Sequence, residues 1–364
     1  MKQFLKGALH VHTNLSDGNL SPQEVVKKHK EHNYDFIVWT DHKVNWNIKE
    51  HITDDMGMVM IGGVELDVGI KDGIDYRTLP HQELLDSLFE SRMRNEFQDL
   101  AWPHMNALGV YDTDMHFKVV DYDVPKTYEN MIDVIYANDG IPMINHPNWW
   151  FCSSLREVMK VDRNFLLELG VGDTTHPGGN FQKEGTEVIW DTLLTQGKTV
   201  FGTATDDGHR YEASEETNKP LDFANGFVGV WAEKNEQSIM EALRVGDFYA
   251  SNGIELEKYE VTDKGIYVKV KPDLISNGHD TSKIEPIDGV RYAIMFKGRM
   301  GFTLETVYGT EAFYEFKGGI DEEYVRVKVV SNKSKWNYWQ DYDIKYFEAC
   351  YTQPVYQDKK IRKI

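Results

Sequence analysis

Cysteine is scarce: the 364 residues hold two, Cys152 and Cys350. Two thiols build no disulfide framework, and they fit a reducing compartment. Long apolar runs are missing, and none approaches a membrane-spanning length. Met1-Lys2-Gln3 is followed by too few apolar residues for a secretory signal, so the expected location is cytoplasmic. Positive charge is in deficit, with 40 Lys and Arg against 59 Asp and Glu and a formal net charge of -19. There is no basic stripe of the kind a nucleic-acid scaffold requires. Lys359-Lys360 to Lys363 reads as a solvated tail. Low-complexity segments are absent. What is present is 41% hydrophobic and 12% aromatic residues, enough for sizeable cores, on a chain long enough for two domains.

The first chemistry appears at the start. A short apolar strand, Phe4 to Leu9, runs into His10-Val-His12 and then Ser16-Asp17-Gly18. Alternate strand residues share a side, so His10 and His12 present two imidazoles in one direction. Two neutral imidazoles suit a transition metal, and Asp17 can add a carboxylate. Ser21-Pro-Gln-Glu24 then opens a helix to about His32, with a serine cap, proline at the first position and glutamate three on. His29 and His32 on this helix read as solvent-facing.

The pattern of apolar strand followed by a metal-type residue recurs. Asp35 to Thr40 leads to Asp41-His42, Met58 to Ile61 to Glu65, Ile141 to Asn145 to His146, and Thr199 to Thr203 to Asp206-Asp207-Gly-His209. Phe165 to Leu169 carries Glu168, and Gly226 to Ala232 is a further strand. Helices are expected over Thr127 to Asn138, Gln82 to Asp99, Glu187 to Gln196 and from Asn235 to Gly246. Alternating strands and helices imply parallel βα units, and chemistry at successive carboxyl ends implies a barrel-like arrangement with one mouth. Asp67 to Pro103 and Tyr211 to Asn225 interrupt the rhythm and are expected to wall that mouth. After about Gly253 the texture changes to alternation, as in Gly265 to Lys271 and Glu323 to Val330. That predicts an antiparallel β-sandwich. It carries no obvious chemistry, and it is open to binding a glycan or to pairing two copies as a homo-oligomer.

Collected, His10, His12, Asp17, His42, Glu65, His146, Asp207 and His209 all follow short apolar runs, and His104 joins them in Pro-His104-Met-Asn-Ala-Leu-Gly109. Six imidazoles and three carboxylates without a cysteine ligand suit Mn, Fe or Zn. Nine ligands exceed one ion's needs, so two or three divalent ions sharing bridging carboxylates such as Glu65 and Asp207 are expected.

These motifs resemble the polymerase-and-histidinol-phosphatase (PHP) superfamily over about residues 4 to 252. Trp190-Asp-x-Leu-Leu…Gly197, Thr205-Asp-Asp-Gly-His209, Ala242-Leu-Arg-x-Gly246, Phe248-Tyr-Ala-Ser251 and a terminal Tyr351-Thr-Gln-Pro354 are similar to its CehA/McbA-type subfamily. The resemblance implies a distorted (β/α)7 barrel at 1–253 with two or three metals at its mouth, followed by a β-sandwich domain at 254–364. It also implies hydrolysis, usually of phosphoesters. The usual pattern is shorter between Glu65 and His104, which leaves His81 as a competitor for the sixth imidazole. Glu168 lacks the asparagine that often follows it, so ligand, supporting group and plain strand-end carboxylate stay open for it. His51, His116, His176 and His279 read as loop residues. Asp41 and Asp206 are expected to orient metal-bound imidazoles, with solvent exposure the alternative for Asp206. Arg210 and Arg77 are expected to meet a distal phosphate. Trp46, Trp149 and Trp150 read as wall packing, and Cys152 as a packed thiol.

The expected reaction is attack of metal-activated water on a phosphomono- or diester, the substrate being a small molecule or a nucleotide or sugar phosphoester. Carbamate or carboxyl-ester hydrolysis at the same site is the alternative. A retired, non-enzymatic binding module is the lesser one; it predicts missing ligands, and each motif here has a candidate residue.

Overall fold

The computed structural model describes residues 1–42, 48–67, 103–111, 115–120, 123–147, 153, 155–169, 185–212, 223–271, 291–339, 342–358 and 362–364. Trp46, Arg77, His81, the helix expected at Gln82 to Asp99, Trp149, Trp150, Cys152, His176 and His279 lie outside these residues.

The chain opens on strand β1 (Gln3–Ala8), which pairs in parallel with β2 (Phe36–Val38), and β2 pairs in parallel with β3 (Val59–Ile61). Helix α1 (Pro22–Glu31) makes the first crossover, with the Glu24 carboxylate accepting the Ser21 N–H at 2.9 Å. Pro22, Val25, Val26 and His29 form its buried face. His29 therefore corrects the solvent-facing reading: it is 1% exposed, packed among Tyr34, Tyr211 and Phe223, with its Nδ1 2.8 Å from the Val25 carbonyl. Helical spacing aligns it with Val25 and Val26, and that outweighs its polarity.

A second sheet follows after the short helix α2 (Ile48–His51): β4 (Gly63–Asp67), β5 (His104–Leu108), β6 (Ile141–Ile144), β7 (Phe165–Glu168) and β8 (Val200–Thr203), in that order. Here the expectation of uniformly parallel units fails. β5 runs antiparallel to both β4 and β6, whereas β6, β7 and β8 are parallel. Helices α3 (Val124–Ala137), α4 (Leu155–Val158) and α5 (Thr186–Thr195) pack on this sheet through Tyr128, Ile132, Val158, Trp190 and Leu193. Strand β9 (Phe227–Ala232) is antiparallel to β1, again unlike a βα repeat. Helix α6 (Glu236–Val245) is capped by Asn235, whose side chain accepts the Ser238 N–H at 2.9 Å, and stops at Gly246, left-handed with φ 80.

Among the described residues no closed barrel forms; the strands through β9 lie in two sheets that share an interior. Leu5, Leu9, Phe36, Ile61, Leu108, Met143, Leu166, Phe201 and Val230 meet in one core, floored by Ile239 and Leu243 of α6. At the carboxyl ends the two sheets are stitched by two parallel bridges, Val11 with Gly208 and His42 with Glu65. Lower down, the stitch is a side chain. The Gln353 carboxamide accepts the Gly202 N–H at 2.8 Å and donates to the Gly202 carbonyl at 2.7 Å, in the manner of a strand neighbour for β8.

After β10 (Phe248–Ser251) all described pairing is antiparallel. β11 (Leu256–Val261), β12 (Gly265–Val270) and β15 (Glu311–Glu315) form a three-stranded sheet. β13 (Tyr292–Lys297), β14 (Thr303–Tyr308), β16 (Tyr324–Trp339) and β17 (Tyr342–Thr352) extend the first sheet through β10 and β9, and β18 (Val355–Tyr356) pairs with β16. Ile266, Val268 and Val270 share a core with Ile294, Phe296, Val327 and Val329, so the two layers face each other.

Candidate metal centre

The nine residues singled out from sequence converge at the stitched end. His10 and His12 follow β1, both fully buried. The route there is not a simple strand. Ala8 and Val11, three apart, pack into the same core cluster, so the alternation slips by one at the bend of Leu9. The slip turns both imidazoles inward, and Val11 is held in place by its N–H to Thr40 Oγ1 at 2.8 Å. Gly18 allows the loop carrying Asp17 to fold back: its N–H donates to Thr13 O at 2.8 Å, and a Cβ there would meet the His12 backbone at 2.7 Å. His146 and Asp207 take left-handed backbone, φ 21 and 50, uncommon for residues other than glycine.

Glu65 is the hub. Its Oε2 lies 3.1 Å from His10 Nε2, 3.1 Å from His12 Nε2 and 3.2 Å from His42 Nε2. Its Oε1 lies 2.9 Å from His104 Nδ1 and 3.5 Å from His146 Nε2, and accepts Asn145 Nδ2–H at 2.8 Å. Asp207 Oδ1 is 3.0 Å from His10 Nε2 and 3.1 Å from His12 Nε2. Asp17 approaches His12 Nδ1 at 3.3 Å and, through its other oxygen, His209 Nε2 at 3.4 Å. The His12 and His209 rings stack at 4.1 Å.

The ligand-type atoms fall into four overlapping groups. They are His10, His12, Glu65 and Asp207; Glu65, His104 and His146; His12, Asp17, His42 and His209; and His10, His146 and Glu168. The antiparallel β5 explains His104: it begins its strand, opposite Asp67 of β4, and so sits at the mouth although the other strands bring their ligands at carboxyl ends.

The test for a cation is how these atoms are satisfied. His10 Nε2, both ring nitrogens of His12 and Asp207 Oδ1 are buried without a hydrogen-bond partner. They nevertheless sit 3.0 to 3.3 Å from opposite-charge atoms. Close approach of such atoms around common points fits groups that could share a cation. Two ligands at right angles about 2.1 Å from one ion are about 3.0 Å apart. The donor set, imidazole with carboxylate and no thiolate, fits Mn, Fe or Zn.

Electrostatics agree. Burial opposes charge on His10, yet the Asp207, Glu65 and Glu168 carboxylates outweigh it and lift the imidazole to about 10. Burial likewise opposes charge on Glu65 and Asp207, but the imidazoles, His10 foremost, hold both well below the usual carboxylate range. For His42 burial wins and lowers it to about 4. The carboxylates demand positive charge, and bound cations would supply it in place of imidazolium protons.

One supporting role needs correction. Asp206 neither orients an imidazole nor faces solvent. It is 4% exposed and accepts the N–H groups of Ala224, Asn225 and Gly226 at 2.8, 2.7 and 2.6 Å. Asp206 therefore fastens the entry to β9; burial pushes its carboxyl up to about 7 against those three donors. Asp41 accepts the Thr13 N–H at 2.7 Å and the Ser16 hydroxyl at 2.7 Å, so it holds the loop bearing Asp17. Arg210 is half-buried beside His209, and His51 and His116 are exposed. The groups undervalued in the sequence are Glu168, fully buried against His10, and Asn145, whose amide links Glu65 and Asn106. The available signal for both was position: each ends or follows an apolar strand beside a ligand.

No family model matches the chain, and no curated protein matches it. Among solved structures it is similar to a two-domain Bacteroides vulgatus protein containing a predicted PHP-like metal-dependent phosphoesterase, at 16% identity over 95% of each chain with a TM-score of 0.40. It is also similar to a Bifidobacterium adolescentis protein described as a candidate metal-dependent phosphoesterase, at 13% identity over 59% of this chain and 89% of that one, TM-score 0.36. Likeness at this level carries no residue-level information, and the case for a metal centre lies in the side chains.

Proposed function

We propose that the chain is a metal-dependent hydrolase that cleaves phosphomono- or diesters with two or three divalent ions, Mn, Zn or Fe. The observation that carries this reading is the set of buried nitrogen and oxygen atoms around Glu65 and Asp207. Ions held there would lower the pKa of coordinated water towards about 7 and stabilise charge on the phosphoryl oxygens. The side chains of Glu65 and Asp207 hold neighbouring ligand groups at fixed separation. Exposure rises across the cluster, from 0% at His10 and His12 to 25% at the His209 side chain and 51% at Asp17. Substrate therefore enters from the Asp17 and His209 side, where Arg210 follows in sequence and can meet a distal phosphate. The reading includes a distorted, interrupted (β/α)7 arrangement of CehA/McbA type at 1–253, a β-sandwich unit at 254–364, and a cytoplasmic location.

The test is turnover by metal-reconstituted protein of aryl phosphate monoesters and diesters alongside an aryl acetate and an aryl carbamate. Metal-dependent release from a phosphate ester supports the proposal. Fully metallated protein inert on every phosphate ester refutes it, and cleavage confined to the acetate or carbamate moves the bond to a carbonyl ester.

A further inference from the structure

One buried carboxylate beside the cluster has no part in the nine-residue set. Glu168 is the last residue of β7 and is fully buried. Its Oε1 lies 3.1 Å from His10 Nδ1 and also accepts the Thr205 hydroxyl. Its Oε2 accepts the His146 backbone N–H at 2.6 Å. The three donors come from three different ligand-bearing segments: the ends of β1, β6 and β8.

Each bond has a distinct consequence. A proton on His10 Nδ1 directed at Glu168 leaves the Nε2 lone pair facing Glu65 and Asp207, at 3.1 and 3.0 Å. The His146 N–H is held while that residue keeps φ 21, a backbone that L residues avoid. Thr205 stands two residues before Asp207, whose own φ is 50. The three donors take three of the roughly four acceptor sites of the Glu168 carboxylate, including both on Oε1.

We propose that Glu168 is the positioning residue of the centre, fixing the His10 tautomer and the two strained turns that present His146 and Asp207, and that it is not itself a ligand. This rests on reading the cluster as a metal centre, and the test keeps the two apart. Zn(II) is titrated against a competing chelator into metal-free wild type, Glu168→Gln and Thr205→Val, with stoichiometry, affinity and thermal melting recorded. The Zn-loaded proteins are then compared for the proton resonance of His10 Nδ1–H.

Glu168→Gln should bind as many ions at saturation as wild type, about 10- to 100-fold more weakly, with the His10 resonance shifted. Thr205→Val, which removes one donor and no charge, should weaken binding by a smaller factor. Loss of one whole ion from Glu168→Gln would make it a ligand and overturn the proposal. Wild-type affinity with an unshifted resonance would make it a bystander. If Glu168→Gln does not melt as a folded protein, Thr205→Val decides: weakened binding at unchanged stoichiometry supports the proposal, and wild-type binding overturns it. A wild type that takes up no zinc refutes the metal reading itself.

Discussion

Two histidines of the same chain show how environment decides chemistry. His10 is enclosed by carboxylates and held up to about 10, whereas His29 is enclosed by rings and pushed by burial down to about 3. Neutral His29 fits its pocket, and its folded pKa lies below the ordinary 6.5. Between pH 6.5 and about 3 the unfolded chain therefore binds the extra proton, and stability falls as pH falls through that window. The slope is about 1.4 kcal/mol per pH unit. Urea unfolding at pH 7, 6, 5 and 4 should show wild type losing about that amount per unit relative to His29→Phe below pH 6. Parallel curves would contradict a buried neutral His29. Sequence alone shows that both residues are histidines. Eight of the nine candidate positions were legible because each follows an apolar run, His104 being the exception; burial of His29 was readable only by giving helical period more weight than polarity.

At the scale of elements, most strands before residue 253 were marked, β5 was not, and strand direction was not. Apolar runs at Phe36–Val38, Ile141–Ile144 and Val200–Thr203 announce buried strands. Nothing local tells β5 to run against its neighbours, because direction depends on the path of the intervening chain. The Leu9 slip is equally silent, since it follows from packing on both sides. The Gln353 contact belongs here as well. It spans 151 residues to satisfy both polar groups of Gly202, on the strand that leads to Thr205 and Asp207. Gln353→Leu would leave a buried N–H and a buried C=O unpaired, at about 1–3 kcal/mol each. Chemical denaturation should show a loss of about 2–6 kcal/mol. A loss below about 0.5 kcal/mol would mean that the carboxamide is not a structural partner of β8.

For the whole molecule, the first sheet runs without a break from β3 to β14, because β10 pairs with β17. That continuity crosses the expected division at residue 253. The contact between the two parts is partly charged: buried Arg326 donates to Asp191 Oδ2 at 2.6 Å and to Glu187 at 2.8 Å on α5. The periodicity pointed to two textures; described pairing is mixed through β9 and antiparallel after it. Pairing across about a hundred residues is a tertiary property that no local pattern encodes. Five of the six clustered imidazoles were readable in advance for the opposite reason: each motif is local, and coordinates were needed for their meeting point and to bring His104 into the group. The most direct test is an anomalous-scattering map from crystals of the protein loaded with manganese or zinc. It should place two or three ions among His10, His12, His42, His104, His146 and His209, with Glu65 touching more than one. A map with that pocket free of anomalous density, or with ions bound only elsewhere, would contradict the metal centre.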